Sequence, residues 1–498
     1  MILKRLVEIL KTFDKAELKK FERFVRSDYF NTNVSVLKLI KGLKKFYPNF
    51  DNHSINKEKL FTFVYEKRKY DDKTFRYLLS ELLELTEKFL RMSYIEKNPF
   101  DERRILIEEL FNRRLFSHAE KYLKILDLAF DEKPFFSLTL INHKLESATL
   151  WHHLKLSTDI QEPLIDKRSQ MADYLIFYCL IESANLIHNI IGLERHYNVK
   201  FNSDVIQAFN RSLDYKLLLE RLDKQENKIQ LPKNKKLILE AVKFHICYMI
   251  TILDIKEEKY FYRMKDIVNR YGDFFSREDL FNIYSLLGAC CTLKMEASDN
   301  DKYYKEHFEI DKACLEKGLL THDEEQYMQV NGFIGLLHMA TALRELDWME
   351  KFIEQYIEKI SPELRDDAYN YSIANLYFER GDYNMALELI NKVKYKYFHF
   401  KEYVRALTLR IYYELNYFEQ AFSLIDSFTH FLNTNNRIDP EMKLKSLNFI
   451  NFTKNLLKLK TGTGIRIKPN VLENEILHAT VNDKNWLLKK VKELGVMK

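Results

Sequence analysis

Residues 369–393 read YNYSIANLYFERGDYNMALELINKV, and this stretch decides the fold. Two helical patterns flank the pair Gly381-Asp382. Ile373, Ala374 and Tyr377 stand on the first helix, Tyr383 follows the turn, and Ala386 and Ile390 stand on the second. Two helix axes approach closely only where small side chains meet, so Ala374 and Ala386 mark the contact and Tyr377 fills the gap beside it. Gly381 ends the first helix because it enters the left-handed region without steric cost.

The arrangement recurs on both sides. Moving 35 residues on brings Leu409, Tyr412, Asn416, Phe418, Ala421 and Ile425 into the same places. Asn416 replaces the glycine, and asparagine tolerates that conformation. Moving 34 residues back brings in Ala340, Leu343, Asp347, Met349 and Tyr356, with Phe352 at the close-contact position. Spacing and residue types together resemble the tetratricopeptide repeat over residues 335–433. Asn370 and Phe398 stand where that family often has Trp and Pro. The resemblance implies stacked antiparallel helix pairs in an α-solenoid, with another protein or peptide held on the concave surface.

The rest of the chain is helical too. Phe75, Leu78, Leu79, Leu82, Leu85 and Phe89 follow the 3.6-residue period, and strict alternation is almost absent. The exception is the short run Gly464-Ile-Arg-Ile-Lys468. Only 11 Gly and 8 Pro occur in 498 residues, too few for the tight hairpins of an all-β fold. Asp14 and Glu17 form a capping box flanked by Phe13 and Leu18, and Asp72 is placed to cap a helix running to about Arg91. The fold class is therefore all-α. Residues 1–97 are expected to form an N-terminal helical bundle, 98–335 a degenerate repeat array, 336–433 the clear repeats and 434–498 a basic helical cap. Leu115 to Ala119 reads as a helix-pair turn, residues 164–191 and 234–254 as interior helices, and Asp223 to Lys236 as a linker. In its heavy use of Lys, Asn, Ile, Tyr and Phe the chain is similar to large helical proteins of AT-rich bacteria.

Charge and cysteine bound the setting. The net charge is +6, but residues 1–50 and 441–498 each carry +7, which leaves −8 between them. The five cysteines (179, 247, 290, 291 and 314) include no C-x-x-C pair, and four lie in apolar stretches. They read as reduced core thiols in a reducing compartment. Charges at positions 4, 5, 8 and 11 break any signal-peptide pattern. The longest uncharged apolar run, Phe244 to Leu253, is shorter than the roughly 20 residues that span a bilayer. A cytoplasmic protein without a membrane partner is expected.

No motif carries chemistry. His152-His153 is the only adjacent histidine pair, and neighbours on a helix point about 100° apart. Asp299-Asn-Asp301 lacks the glycine and the closing glutamate of a calcium loop, having Tyr304 and Ile310 there. Thr461-Gly-Thr-Gly464 is no phosphate loop, since it follows a helix and lacks a G-K-[ST] ending. No catalytic residue, cofactor site or metal site is expected. Residues 58–91 resemble a helix-turn-helix only in outline, because Glu81, Glu84 and Glu87 would repel phosphate. The leading expectation is a non-enzymatic scaffold that binds another protein. The alternative is nucleic-acid binding by the basic ends through Arg466, Lys468, Trp486, Lys489, Lys490 and Lys492, or by the interleaved run Lys394 to Lys401.

Overall fold

The computed structural model describes residues 2–50, 55–66, 68–131, 135–158, 164–197, 201, 204–228, 233–297, 302–321, 327–394, 400–435, 438–463 and 468–496. Among these residues 24 α-helices occur and no strand, and neighbouring helices pack as pairs. Arg466, residues 395–399 and Asp299-Asn-Asp301 lie outside the described residues, as does the run 464–467 that alternates. The chain divides into two compact units, Met1–Ala129 with Ser147–Lys167 and Phe130–Glu146 with Arg168–Lys498.

The first unit is built on α5 (Asp72–Lys97), against which α1 (Ile2–Leu10), α2 (Lys15–Arg26) and α3 (Val34–Leu43) all pack; α4 (Lys57–Tyr65) packs on α3. Their shared core includes Leu6, Phe21, Leu39, Phe75 and Leu82, all fully buried. Burial of each such side chain contributes about 1.5–3 kcal/mol. Asp14 accepts from the Glu17 N–H, as its spacing predicts. The long helix differs from expectation. It is capped by Asp71, not Asp72, and it runs to Lys97. Asp72 is drawn away by Tyr70 and Arg76, whose hydroxyl and guanidinium donate to it. Two further helices follow, α6 (Pro99–Asn112) and α7 (Phe116–Asp131).

The second unit has three successive cores. The first surrounds α12 (Lys233–Leu253), in which every residue from Leu237 to Thr251 is buried. The interior expected for residues 234–254 is thus observed from Leu237 to Thr251, while Leu253 and Asp254 at its end are exposed. For 164–191 the expectation is corrected. Helix α9 (Leu164–Tyr197) leaves Leu175, Ile176 and Leu186 about half exposed. It is also the one helix among the described residues long and apolar enough to cross a membrane, by length and composition. Counting uninterrupted runs missed it because Glu182 divides the sequence. The expected linker at Asp223 is corrected as well. Helix α11 (Tyr215–Lys228) takes up its first six residues and α12 its last four, while 229–232 lie outside the described residues; Asp223 accepts from Arg263 at 2.6 and 2.9 Å and lies 3.2 Å from Lys243.

The second and third cores hold the repeats: α16 (Val330–Leu343), α17 (Leu346–Tyr356), α18 (Pro362–Arg380), α19 (Tyr383–Ile390), α20 (Phe400–Glu414) and α21 (Phe418–Thr434). Three turns join them pairwise, and all three close alike. A left-handed residue ends the first helix: Arg344 (φ 60°), Gly381 (φ 87°) and Asn416 (φ 61°). The next N–H then reaches back five residues, Glu345 to Ala340 O, Asp382 to Tyr377 O and Tyr417 to Tyr412 O, each at 2.9 Å. This is the closure that satisfies the last carbonyls of a helix. The α6–α7 turn is a fourth copy, with Arg114 at φ 58° and Leu115 N–H bonded to Leu110 O at 2.8 Å. These landmarks correct the register. Arg344 and Gly381 stand 37 residues apart, not 34, so Met349 and not Phe352 corresponds to Ala386 and Ala421. All three of those residues are fully buried.

Candidate functional site

With the register set by the turns, one repeat position lines up as His338, Asn375 and Arg410. Glu379 and Glu414 follow one helical turn later on α18 and α20. These residues stand about 100° or more round the helix from the buried Leu337, Ala374 and Leu409. Together they form a polar stripe on the first helices of the three pairs.

Helix α24 (Lys484–Val496) lies on this stripe. Helix α21 packs against both α20 and α22 (Pro440–Thr461), and α24 packs on α22 and reaches α20. Asp483, immediately before it, lies 3.1 Å from Arg410, whose guanidinium stacks on Phe378 and lies 3.9 Å from Glu379. Trp486 Nε1 donates to Glu414 at 2.9 Å, and its ring meets Tyr413 edge-on at 5.2 Å. Lys490 Nζ donates to the same carboxylate at 2.9 Å and to Glu493 at 2.8 Å. Glu414 thus receives an indole and an ammonium four residues apart on one helix face.

Burial sets the electrostatics. It works against the charge of Lys490, but the hydrogen bonds to Glu414 and Glu493 outweigh it and hold the ammonium above its ordinary range. Burial pushes the Glu379 carboxyl up against the pull of Arg410. Burial likewise lowers the Lys460 ammonium, which donates to Tyr413 O at 3.0 Å. At the far end of the stripe, His338 Nε2 and Tyr371 Oη lie 2.8 Å apart, with the Tyr403 ring edge-on to His338 at 4.8 Å.

The repeat residues read from the sequence sit as follows. Ala374, Ala386, Ile390, Leu409, Ala421 and Ile425 are buried, while Ile373, Tyr377, Tyr383 and Tyr412 are half-buried against the same cores. Gly381 supplies the left-handed turn. The residues read as nucleic-acid contacts separate into two groups. Lys468, Lys489 and Lys492 are exposed, with Lys492 3.8 Å from Glu473. Trp486 and Lys490 turn inward, and Lys490 is only 4 % exposed, so neither presents itself to phosphate. The Glu414 carboxylate, 72 and 76 residues away, is what draws them in.

Elsewhere, Ser285 Oγ lies 2.9 Å from His188 Nε2, a ring whose basicity burial lowers. Ser285 sits within α14 (Arg277–Ala297), where the backbone N–H groups are engaged along the helix and leave no pair to hold an oxyanion. Cys247, Cys290, Cys291 and Cys314 are buried, with thiols pushed up by burial, while Cys179 is exposed. Among the described residues no group of three His, Cys, Asp or Glu side chains is placed to hold a metal ion. Comparison with protein-family models, with curated proteins and with solved structures finds no match to the chain.

Proposed function

We propose that this protein is a non-enzymatic interaction scaffold of the tetratricopeptide-repeat kind, which holds a helical segment of another protein on the stripe formed by α16, α18 and α20. One observation carries the reading. The α20 part of the stripe already accommodates a helix, α24, through paired charges at Arg410 and Glu414, one helical turn apart. Stacked helix pairs present such equivalent positions side by side, which lets one extended ligand be read several times. At the His338–Tyr371–Tyr403 end Asp483 is still close enough to favour the charge of His338, and His338 and Tyr403 are partly buried.

Photocrosslinking in cells that express the protein natively tests this. A crosslinking phenylalanine analogue replaces Tyr403 on the stripe in one variant and Glu388 on α19 in another. The expected result is a protein adduct from position 403, absent from 388 and unchanged by nuclease. Adducts from both positions alike, or none from 403, would contradict the scaffold. Adducts that nuclease abolishes would point to the basic ends and nucleic acid.

A further inference from the structure

We infer that α24 is a displaceable internal ligand, and that the partner helix replacing it carries an acidic residue, an aromatic three positions on and a lysine four beyond that. The inference rests on the scaffold reading and specifies its ligand. The pattern is that of Asp483, Trp486 and Lys490, which meet Arg410 and Glu414.

Two features make α24 an occupant and not merely a wall. Its two sides are held by different forces. Leu487 and Val491 are fully buried against Leu472, Ile476 and Leu457 of the terminal core. The side facing α20 is held by ion pairs, one indole N–H and the edge-on contact of Trp486 with Tyr413. A buried ion pair roughly breaks even against its desolvation, so it selects a partner more than it secures one. Second, α24 leaves its own site incomplete. Arg410 Nε is buried with no hydrogen-bond partner, although the guanidinium as a whole is less than one-tenth exposed. A longer acidic side chain at the place of Asp483 would reach both edges of that guanidinium, as paired carboxylate oxygens do. A partner with glutamate there makes a bond that α24 does not. Glu379 is the matching carboxylate of the preceding repeat, and Lys489 is close enough to favour its charge.

The test uses the full chain and a fluorescent peptide of residues 481–498. Binding is read by anisotropy against wild type and against the double variant Trp486→Ala, Lys490→Ala, with circular dichroism confirming that both are folded. The expected result is that the double variant binds the peptide at least tenfold more tightly than wild type does. Asp483→Glu in the peptide should tighten that binding further, and Glu414→Gln in the double variant should abolish it. Equal binding to both proteins, or none to the folded double variant, would overturn the inference. If the double variant does not fold, Glu414→Gln alone replaces it. That change loosens the hold on Lys490 while keeping the side chain's shape, and faster proteolysis confined to residues 479–496 is expected. Unchanged proteolysis there would overturn the inference equally. A failed latch with a persisting adduct at Tyr403 leaves the scaffold standing, whereas loss of that adduct removes the scaffold itself.

Discussion

Helices α12 and α24 each bury a lysine against two carboxylates, yet they are held in opposite ways. Lys243 on α12 is 2 % exposed, 3.1 Å from Glu240 and 3.2 Å from Asp223. It lies among Leu239, Val242, Phe244 and Ile246, which are buried all round the helix. Lys490 on α24 has a similar pair of partners, but Asn485, Lys489, Lys492 and Glu493 beside it are exposed. The same ionic group is therefore locked in by apolar packing in one place and left as the main contact of a polar face in the other. Charge pairing alone does not decide whether a helix is permanent. The area of apolar surface buried around the pair does.

The contrast is broken most strongly at Phe244. Phe244→Ala should cost about 3–5 kcal/mol, because it empties a site that is enclosed on every side. Denaturant unfolding of the second unit's core should report the whole loss, and a change under 1 kcal/mol would mean α12 is not the centre it is taken to be. Next in size is a pH effect on the same helix. Burial pulls His245 down to about 4, while its ring stays bonded to Ala241 O. Its unfolded pKa is near 6.5, so the folded state resists protonation. Stability from this group is full above pH 6.5 and is lost as pH falls toward 4, by about 3 kcal/mol at most. A melting temperature followed from pH 7 to 4 should fall, and His245→Gln should flatten the fall.

A smaller effect is expected at Lys490. Lys490→Ala should cost less than the ~3 kcal/mol usual for stranding a buried charge, since α24 can lift and let water reach Glu414. The unfolding midpoint of α12 should not move. A loss as large as that of Phe244→Ala would place α24 in the permanent core. Smallest are the turns. Gly381→Ala should cost about 1 kcal/mol through its positive φ alone, as no atom lies within 4 Å of the added carbon. Arg344→Gly should gain up to about 1 kcal/mol by the same argument reversed. Urea midpoints of the two variants should shift in opposite directions, and shifts of one sign would contradict the shared turn geometry.

These residues also mark what could be read from the sequence. The turn at Gly381 was legible because glycine announces a left-handed residue, and Asn416 does so more weakly. Arg344 and Arg114 adopt the same conformation without announcing it, so the residue pattern places the first repeat three residues out of register and marks the α6–α7 connection only as a turn. The amphipathic period marked the helices themselves and the buried run of α12. It could not show α24 folding onto the stripe, because that depends on Glu414 meeting residues more than seventy positions away. Trp486 and Lys490 stood out as residues of interest, but a basic sequence looks the same whether its charges face water or a buried carboxylate.

Hydrogen exchange on the unmodified full chain tests the central claim most directly. If α24 is an occupant of the repeat face, its amides should exchange through a local opening, at least a hundredfold faster than those of α12 and faster than those of α20 beneath it. Exchange of α24 at the same rate as α12, through global unfolding only, would show that the helix never leaves the face and that the face is not open to a partner.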